Sequence, residues 1–130
     1  MGRDRRECNE PALWRYELPG GWEVLVGRTD ADNDRLSLKL ARPDDWWFHV
    51  NGMPGSHTLL RARKGETPDR DTLKAAAAIA AWHSKARERG RIGVACTQAR
   101  YVSKPRGAKP GSVTIRKEKT LTVRPELPEA

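Results

Sequence analysis

The beginning of the chain alternates hydrophobic and polar positions in two short runs separated by a turn. Residues 13–18 alternate, Pro19, Gly20 and Gly21 follow, and residues 22–27 alternate again. A period of two is typical of a strand with one buried face. Two such runs joined by a short glycine turn predict a β-hairpin.

The next segment admits two interpretations. Asp32 or Asn33 can cap a short helix that runs to about residue 41, with Leu36 and Leu40 on one face. Because leucines also stand at every second position from 36 to 40, a strand remains the alternative. We favour the helix.

The clearest helical pattern is Ala-rich and spans about residues 71–89, ending at Gly90. Its buried stripe consists of small side chains, which allow a helix to lie close to a sheet. Further strands are predicted at 46–50, 58–63, 91–97, 100–103, 112–116 and 120–124, the last two joined by a turn at 117–119.

These elements predict an α+β fold, a mostly antiparallel sheet with one long Ala-rich helix packed on it and a short second helix. We expect residues 1–12 to form a flexible tail, 13–124 the domain, and 125–130 a second tail. A length of 130 residues allows one domain and excludes a two-domain enzyme.

Composition adds the type of partner. The chain carries 25 Lys and Arg against 17 Asp and Glu, a formal net charge of +8. No apolar run is long enough for a membrane span, and the first residues lack the apolar stretch of a signal peptide, so we expect a cytoplasmic protein without membrane partners. Cys8 and Cys96 form no CxxC motif and are predicted to be free thiols.

The positive charge is concentrated in one part of the chain. Residues 84–119 contain eleven Lys or Arg and only two Glu, a net charge of +9, which leaves −1 for the rest. A basic block spread over several elements is typical of a protein that binds a phosphate backbone. A solvated basic face that maintains solubility is the alternative.

Two histidines, His49 and His57, flank the turn after residue 50. We interpret them as surface groups beside one groove, where imidazoles can stack on bases or contact phosphates. Hydrogen bonding to the backbone of the turn is the structural alternative. Metal binding with His83 or Cys96 matches no zinc spacing, so we predict neither metal nor cofactor.

A hydrolase using Asp45, His49, Ser56 and His57 has suitable residue types but lacks a nucleophile elbow. The acidic run 30–34 lacks the glycine and closing glutamate of a calcium loop, and we interpret it as the start of a helix. Arg28, just before it, remains available for a phosphate.

The loop at residues 103–111 sets Lys104, Arg106 and Lys109 among two prolines and two glycines. Cations on a pre-shaped loop lose less entropy on binding than cations on a flexible tail, so this loop is a candidate phosphate clamp. Tyr101 and Trp82 are candidate stacking surfaces or core aromatics. Trp46, which faces away from its neighbour in a strand, is the better candidate for exposure.

Five linked motifs occur in order along the chain. They are Gly27 and Arg28 with Asn33 and Asp34; Asp45, Trp47 and His49; Pro54, Gly55, Ser56 and His57; Ala75, Ala76, Ala80 and Ala81 with Ser84 and Lys85; and Tyr101 and Val102 with Lys104, Pro105, Gly107, Lys109, Pro110 and Gly111. Over residues 22–124 their order and spacing resemble the NFACT-R module, the RNA-binding part of NFACT or fibronectin-binding-protein-A-like ribosome quality-control factors. Because the other domains of those factors are missing, we expect a stand-alone form of the module.

The resemblance implies RNA binding in ribosome quality control or translation, with tRNA or rRNA as the expected partner and the large ribosomal subunit as the expected platform. Our leading hypothesis is accordingly a non-enzymatic RNA-binding module. Position by position, it carries over RNA contacts at Arg28, Asn33, His49, Ser56, His57, Lys85, Lys104, Arg106 and Lys109. The alternatives are the small hydrolase or nucleic-acid-processing enzyme described above and a protein-interaction module that docks on the acidic surface of a translation factor.

Overall fold

The computed structural model describes residues 12–128, in which a six-stranded antiparallel sheet is covered by a helix on one face and by a smaller layer on the other. The strands are β1 (Leu13–Leu18), β2 (Trp22–Gly27), β3 (Trp46–Val50), β4 (Thr58–Leu60), β5 (Ile92–Gln98), β6 (Val102–Ser103), β7 (Thr114–Ile115) and β8 (Lys119–Val123). The helices are α1 (Asp30–Arg35), continued by a π-helical turn (Leu36–Leu40), and α2 (Arg70–Trp82), with a 3₁₀ turn at Ala99–Tyr101.

The strand order is β1-β2-β4-β3-β5-β8, and β6 and β7 form a separate two-stranded sheet. The predicted α+β class with a mostly antiparallel sheet is therefore confirmed. The predicted hairpin is confirmed as well, because Leu13 pairs with Gly27 and Leu18 with Trp22 around a turn in which Gly20 and Gly21 have positive φ.

Helix α2 packs on one face of the sheet through small side chains. Ala76, Ala77 and Ala80 are completely buried against a cluster that includes Phe48 and Val94 from the central strands. Short side chains let the helix approach the sheet closely, so that large sheet residues fill the space between them. This layer contains most of the core.

The opposite face of the sheet carries a second, smaller cluster. Trp47 and Leu59 from the sheet pack there with Leu25, with Leu36 from the turn after α1, and with Val102 of β6. The segment after β2 and the segment around β6 and β7 therefore lie over the same region of the sheet.

Helix α1 forms as predicted, but it begins earlier than expected. Its N-cap is Thr29, whose Oγ1 accepts a hydrogen bond from Asp32 N at 3.1 Å, so the prediction of Asp32 or Asn33 as cap is wrong. The helical path continues through the π-helical turn to Leu40, and the strand alternative for this segment is wrong.

Helix α2 has 13 residues, so the predicted long helix over residues 71–89 is wrong. The turn after β3 binds the backbone where the helix would continue: Ser56 N donates to His83 O at 3.0 Å, and Lys85 N donates to Pro54 O at 3.4 Å. An isolated β-bridge joins Gly55 and Ser84 between these bonds. A tertiary contact, rather than Gly90, ends the helix.

The predicted hairpin of strands 112–116 and 120–124 is also wrong. β7 pairs with β6, whereas β8 pairs with β5 at the edge of the large sheet. The chain passes from one sheet to the other at Lys117, whose φ is 56°. Ile115 of β7 packs against the smaller cluster, whereas Leu121 and Val123 of β8 are buried in the larger one, so the two strands belong to different layers of the core.

Beyond β8 the chain returns to α2, where Glu126 N donates to Ala78 O at 3.2 Å and Leu127 packs against the core.

The predicted tail at residues 1–12 and Cys8 lie almost entirely outside the described residues. Cys96 is a buried free thiol, as predicted, and burial raises its pKa to about 11. No helix between residues 12 and 128 has the length and apolarity to cross a membrane.

Candidate nucleic-acid interface

His57 lies at the centre of a hydrogen-bond network beneath the basic loop. Its Nδ1 is 2.7 Å from Ser37 Oγ, and its Nε2 is 3.1 Å from the carbonyl oxygen of Gly111. Trp47 Nε1 donates to the same Ser37 Oγ at 2.8 Å. His57 is only 2% exposed, so the prediction that it is a surface group is wrong.

The partners of His57 define its protonation. The carbonyl of Gly111 can only accept, so Nε2 carries the proton, and the unprotonated Nδ1 accepts from the hydroxyl of Ser37. Burial, followed by the neighbouring His49, lowers the pKa of His57 to about 4. His57 is therefore a neutral structural link between the core and Gly111.

His49 lies beside this network but is half-buried. Its ring is 5.5 Å from that of His57 and is stacked on Trp47 at 6.0 Å. Burial lowers the pKa of His49, so it too favours the neutral form. The structure thus brings the two histidines together, as expected, with His49 the more accessible of the two.

Asn33 is also buried, because it connects α1 to the turn. Its Oδ1 accepts a hydrogen bond from His57 N at 3.0 Å, and Gly27 N donates to the carbonyl of His57. A Cβ at Gly27 would collide with the Asn33 side chain, so this approach requires glycine. Like His57, Asn33 positions its neighbours rather than presenting a surface group.

Lys104 fixes the basic loop from within. Its Nζ is 3.2 Å from Asp34 Oδ2 and donates to the carbonyl oxygens of Lys109 and of Ser112, the latter at 2.9 Å. Asp34 Oδ1 also accepts from Gly111 N at 3.0 Å. All three ammonium hydrogens of Lys104 can therefore be used inside the protein.

Arg106 and Lys109 remain on the outside of this loop, and both are exposed. Turns at both ends shape the loop, because Ala108 N donates to Pro105 O at 3.1 Å and Ser112 N to Lys109 O at 3.0 Å. The loop is consequently a fixed scaffold that presents two cations to the solvent.

The remaining predicted residues, Arg28, Ser56 and Lys85, lie on the other side of the turn, around the end of α2. Arg28 and Lys85 are exposed, and Ser56 is half-buried where its N–H binds His83 O. The turn at residues 51–57 connects the two groups, since His57 lies under the basic loop while Ser56 contacts the helix end.

The structure does not assemble the hydrolase alternative. Asp45 is 1% exposed, accepts hydrogen bonds from Arg42 N and Ala62 N, and pairs with Arg61 at 3.1 Å. Three strand residues separate Asp45 from His49, which places them roughly 10 Å or more apart along β3 at about 3.3 Å per residue. The carboxylate that would orient the histidine is committed elsewhere.

The predicted aromatic surfaces are partly covered. Trp46 and Trp47 do face opposite sides of the sheet, but Trp46 is half-buried against the α2 core. Trp82 lies under the guanidinium of Arg87 at 4.6 Å, and Tyr101 is 5.9 Å from that of Arg116. Among residues 12–128 no three His, Cys, Asp or Glu side chains form a potential metal site.

Two residues of this network, Asp34 and Ser37, were not predicted as site residues. Asp34 ends the acidic run 30–34, which is the main concentration of negative charge in a basic protein. That contrast with the loop at 103–111 is the signal that predicts an ion pair between them. Nothing in the local pattern around Ser37 indicates its bond to a histidine.

Comparison with known families decides the relationship. The family model described as "NFACT protein RNA binding domain" matches residues 13–117. The chain belongs to this family. The NFACT-R fold seen here, with its basic loop tied to the turn after β3, is therefore the fold of an RNA-binding domain family, and the resemblance in the sequence is confirmed.

Relatives of this NFACT-R chain are larger proteins. It is 38% identical over 125 residues to the Rqc2 homolog RqcH of Bacillus subtilis, covering 96% of this chain and 21% of the relative. It is 39% identical over 102 residues to the RqcH of Streptococcus suis, covering 78% of this chain and 18% of that protein. The chain thus spans about a fifth of the curated relatives it matches.

A solved structure shows the same architecture. The C-terminal part of the fibronectin/fibrinogen-binding protein from Streptococcus suis superimposes with a TM-score of 0.81 at 37% identity. The match covers 90% of this NFACT-R chain and 46% of that one.

Proposed function

We propose that this chain is a non-enzymatic module that holds structured RNA, tRNA or rRNA, through its phosphates, and that it acts in ribosome quality control on the large subunit in the cytoplasm. Membership of the NFACT RNA-binding domain family and similarity to the RqcH proteins support this context. The commitment of Asp45 to backbone groups and Arg61 argues against the hydrolase.

One observation carries the proposal: the basic loop is anchored from below. Lys104, Asp34 and His57 together hold Gly111 and the carbonyls around it, while Arg106 and Lys109 point outward. A cation on a fixed scaffold meets a phosphate without first being ordered, so less conformational entropy is lost on binding. A solubilising face has no need of such anchoring.

The nine predicted residues therefore divide into three groups. Arg106, Lys109, Arg28 and Lys85 are exposed cations and contact phosphates. His49 and Ser56, both half-buried, line the surface between them, whereas Asn33, His57 and Lys104 position the loop and the turn. The division revises the sequence-based set, in which all nine residues contact RNA.

Replacing both exposed loop cations tests the clamp. In the variant Arg106→Ala/Lys109→Ala, the slope of log K against log salt concentration for tRNA should decrease in magnitude by about 1.4 to 1.8, because each phosphate contact contributes about 0.7 to 0.9. The free energy of unfolding should change by less than about 0.5 kcal/mol, since both side chains are exposed. Filter binding over a salt series measures the slope.

The matched control is Lys119→Ala/Arg124→Ala, which removes two exposed cations at the other edge of the sheet. Equal salt slopes for the two double variants would show a diffuse basic face and no clamp. Absence of binding to tRNA and to ribosomal RNA at low ionic strength would overturn the proposed function itself. Crosslinking in cells followed by sequencing of the attached RNA identifies which RNA is bound.

A further inference from the structure

Trp14 is an aromatic residue exposed at the edge of the sheet, at a place that the proposed phosphate contacts leave unexplained. It lies on edge strand β1 and is 41% exposed, one of only two large hydrophobic side chains exposed among residues 12–128. Alternation places it on the same face as Tyr16 and Leu18, beside the end of α2. Leu18 is covered by the core, whereas Trp14 is left open.

Arg28 lies over the Trp14 ring, with its guanidinium carbon 4.1 Å from the ring centroid. The register explains the contact: Trp14 pairs with Val26, so Arg28 is the diagonal neighbour on the same face. A guanidinium plane stacked on indole combines cation–π attraction with a second flat surface that faces outward.

Three arginines of the described segment stack on tryptophan, and Arg28 differs from the other two. Arg63, over Trp22, also donates to Gly20 O and pairs with Glu66. Arg87 donates from Nε to the carbonyl of Trp82, the residue it covers. No carboxylate or carbonyl oxygen of residues 12–128 binds the Arg28 guanidinium, so within this part of the chain its donors can face a ligand.

The stack is supported from the protein side. The His83 ring lies 5.7 Å from that of Trp14 at an interplanar angle of 24°, and His83 Nε2 is hydrogen-bonded to Tyr16 Oη at 2.6 Å. Burial, followed by the charge of Arg87, lowers the pKa of His83 to about 4, so the ring is uncharged near neutral pH. Trp14 is thereby held in one orientation before any ligand arrives.

We infer that Trp14 and Arg28, backed by His83, form a stacking site for one unpaired nucleobase of the bound RNA. Because Arg28 and His83 cover the two faces of the indole, the base stacks on the outward face of the Arg28 guanidinium, and the N–H donors of Arg28 meet the adjoining phosphate. Lys85 and Arg87 follow His83 in sequence and supply positive charge nearby. Only a base outside a duplex offers both of its faces, so the ligand is a single-stranded or looped nucleotide.

The site rests on the proposed function, since it binds a base of the same RNA whose phosphates contact the basic loop. It adds a preference that a phosphate clamp cannot have, because phosphates alone do not distinguish a strand with bases from one without. If the surface around Trp14 instead bound a protein partner, substitutions there would not change the difference in affinity between a strand with bases and one without.

The test compares a short fluorescein-labelled oligouridylate with an abasic oligonucleotide of the same length and charge, by fluorescence anisotropy. The unaltered chain should bind the oligouridylate more tightly than the abasic strand. Trp14→Ala should weaken oligouridylate binding by roughly 5- to 100-fold and leave abasic binding unchanged. Trp14→Phe should retain part of the preference.

The variant Arg28→Lys distinguishes stacking on the flat guanidinium from attraction by its positive charge. It should lose much of the preference for bases while keeping the salt slope, because lysine retains the charge but not the flat surface. Leu38→Ala, which removes the other exposed large hydrophobic side chain, is the matched control and should change neither affinity. Circular dichroism verifies that the variants are folded.

The outcomes distinguish the two proposals. Suppose that the unaltered chain binds tRNA, and that Trp14→Ala has the same affinities for oligouridylate and for the abasic strand as the unaltered chain. The stacking site is then overturned, while the RNA-binding function stands. An equal loss for both strands also overturns stacking, because the effect would then be electrostatic or structural. If the unaltered chain binds no RNA, the proposed function fails first.

Discussion

At the scale of single residues, the same type of side chain serves two purposes in one loop. Lys104 is used inside the protein by Asp34 and two carbonyls, whereas Lys109 is exposed only five positions later. Both appear equivalent in the sequence. The difference arises because Asp34 of α1 faces the loop and pairs with Lys104. An ammonium group whose charge and hydrogen bonds are satisfied within the fold attracts a phosphate only weakly.

His57 gives the protein a pH-dependent stability. Its pKa is about 4 in the folded state and near 6.5 in the unfolded chain, so the unfolded state binds the proton first as pH falls. The contribution of neutral His57 to the free energy of unfolding is fully present above about pH 6.5 and is lost as the pH falls from about 6.5 to about 4. From pH 7 to pH 5 His57 should remove about 2 kcal/mol, measured by urea denaturation.

His83, whose pKa is also lowered to about 4, acts in the same direction and must be separated from His57. His57→Gln should flatten part of the pH dependence, and His57→Gln/His83→Gln most of the remainder. If His57→Gln follows the original pH curve, with its stability merely offset, the neutral-link role of His57 is wrong.

At the scale of elements, the contact between the turn and the end of α2 is the most sensitive point. A Cβ at Gly55 would lie 2.9 Å from Ser84 Cβ, closer than side chains normally approach. Gly55→Ala should therefore lower the free energy of unfolding by about 1 to 3 kcal/mol, measured by urea denaturation. Ser84→Gly in the same chain should recover part of the loss, because it removes the opposing atom.

Gly90→Ala is the control for this change, because nothing lies within 4 Å of a Cβ there and the glycine has no positive φ. It should leave stability unchanged or raise it slightly, by reducing the entropy of the unfolded chain. Equal effects at Gly55 and Gly90 would show that the bridge to Ser84 is loose.

The same contact shows what the sequence can and cannot predict at this scale. The hairpin of β1 and β2 is predictable because its alternation and its turn are local. The end of α2 is not, because the backbone of His83 and Lys85 is hydrogen-bonded to Ser56 and Pro54, which lie 27 and 31 residues earlier in the chain. The separation of β7 from β8 depends likewise on distant partners, β6 and β5.

The candidate site divides in the same way. The loop at residues 103–111 is recognisable from its own composition, and the structure places its cations Arg106 and Lys109 on the surface. The burial of His57 depends on Ser37 and Trp47 and on Gly111, which lie on three other segments. The sequence around a histidine does not predict which groups from distant segments will surround it in the fold.

At the scale of the whole molecule, the positive charge makes folding and RNA binding mutually supportive. A net charge of +8 repels itself in the folded state, and a polyanion relieves that repulsion. At a free tRNA concentration of about 100 times Kd, binding should stabilise the fold by about 2.7 kcal/mol, a rise in Tm on the order of 10 °C. Differential scanning fluorimetry measures the rise.

The rise in Tm should shrink as salt is added and should be smaller for Arg106→Ala/Lys109→Ala at the same tRNA concentration. Polyphosphate, which has the charge without bases or sugars, is the control polyanion. Equal protection by polyphosphate and tRNA would contradict specific recognition of RNA and indicate charge neutralisation alone.

The anchoring of Gly111 has a consequence in time. A loop hydrogen-bonded to Asp34 and His57 opens only when those bonds break, so its backbone moves together with the core and not independently as a free surface loop does. The Gly111 amide should accordingly exchange its hydrogen slowly for a loop residue. An RNA then meets one loop conformation at every encounter, and variants of the loop cations should differ mainly in how long the complex lasts.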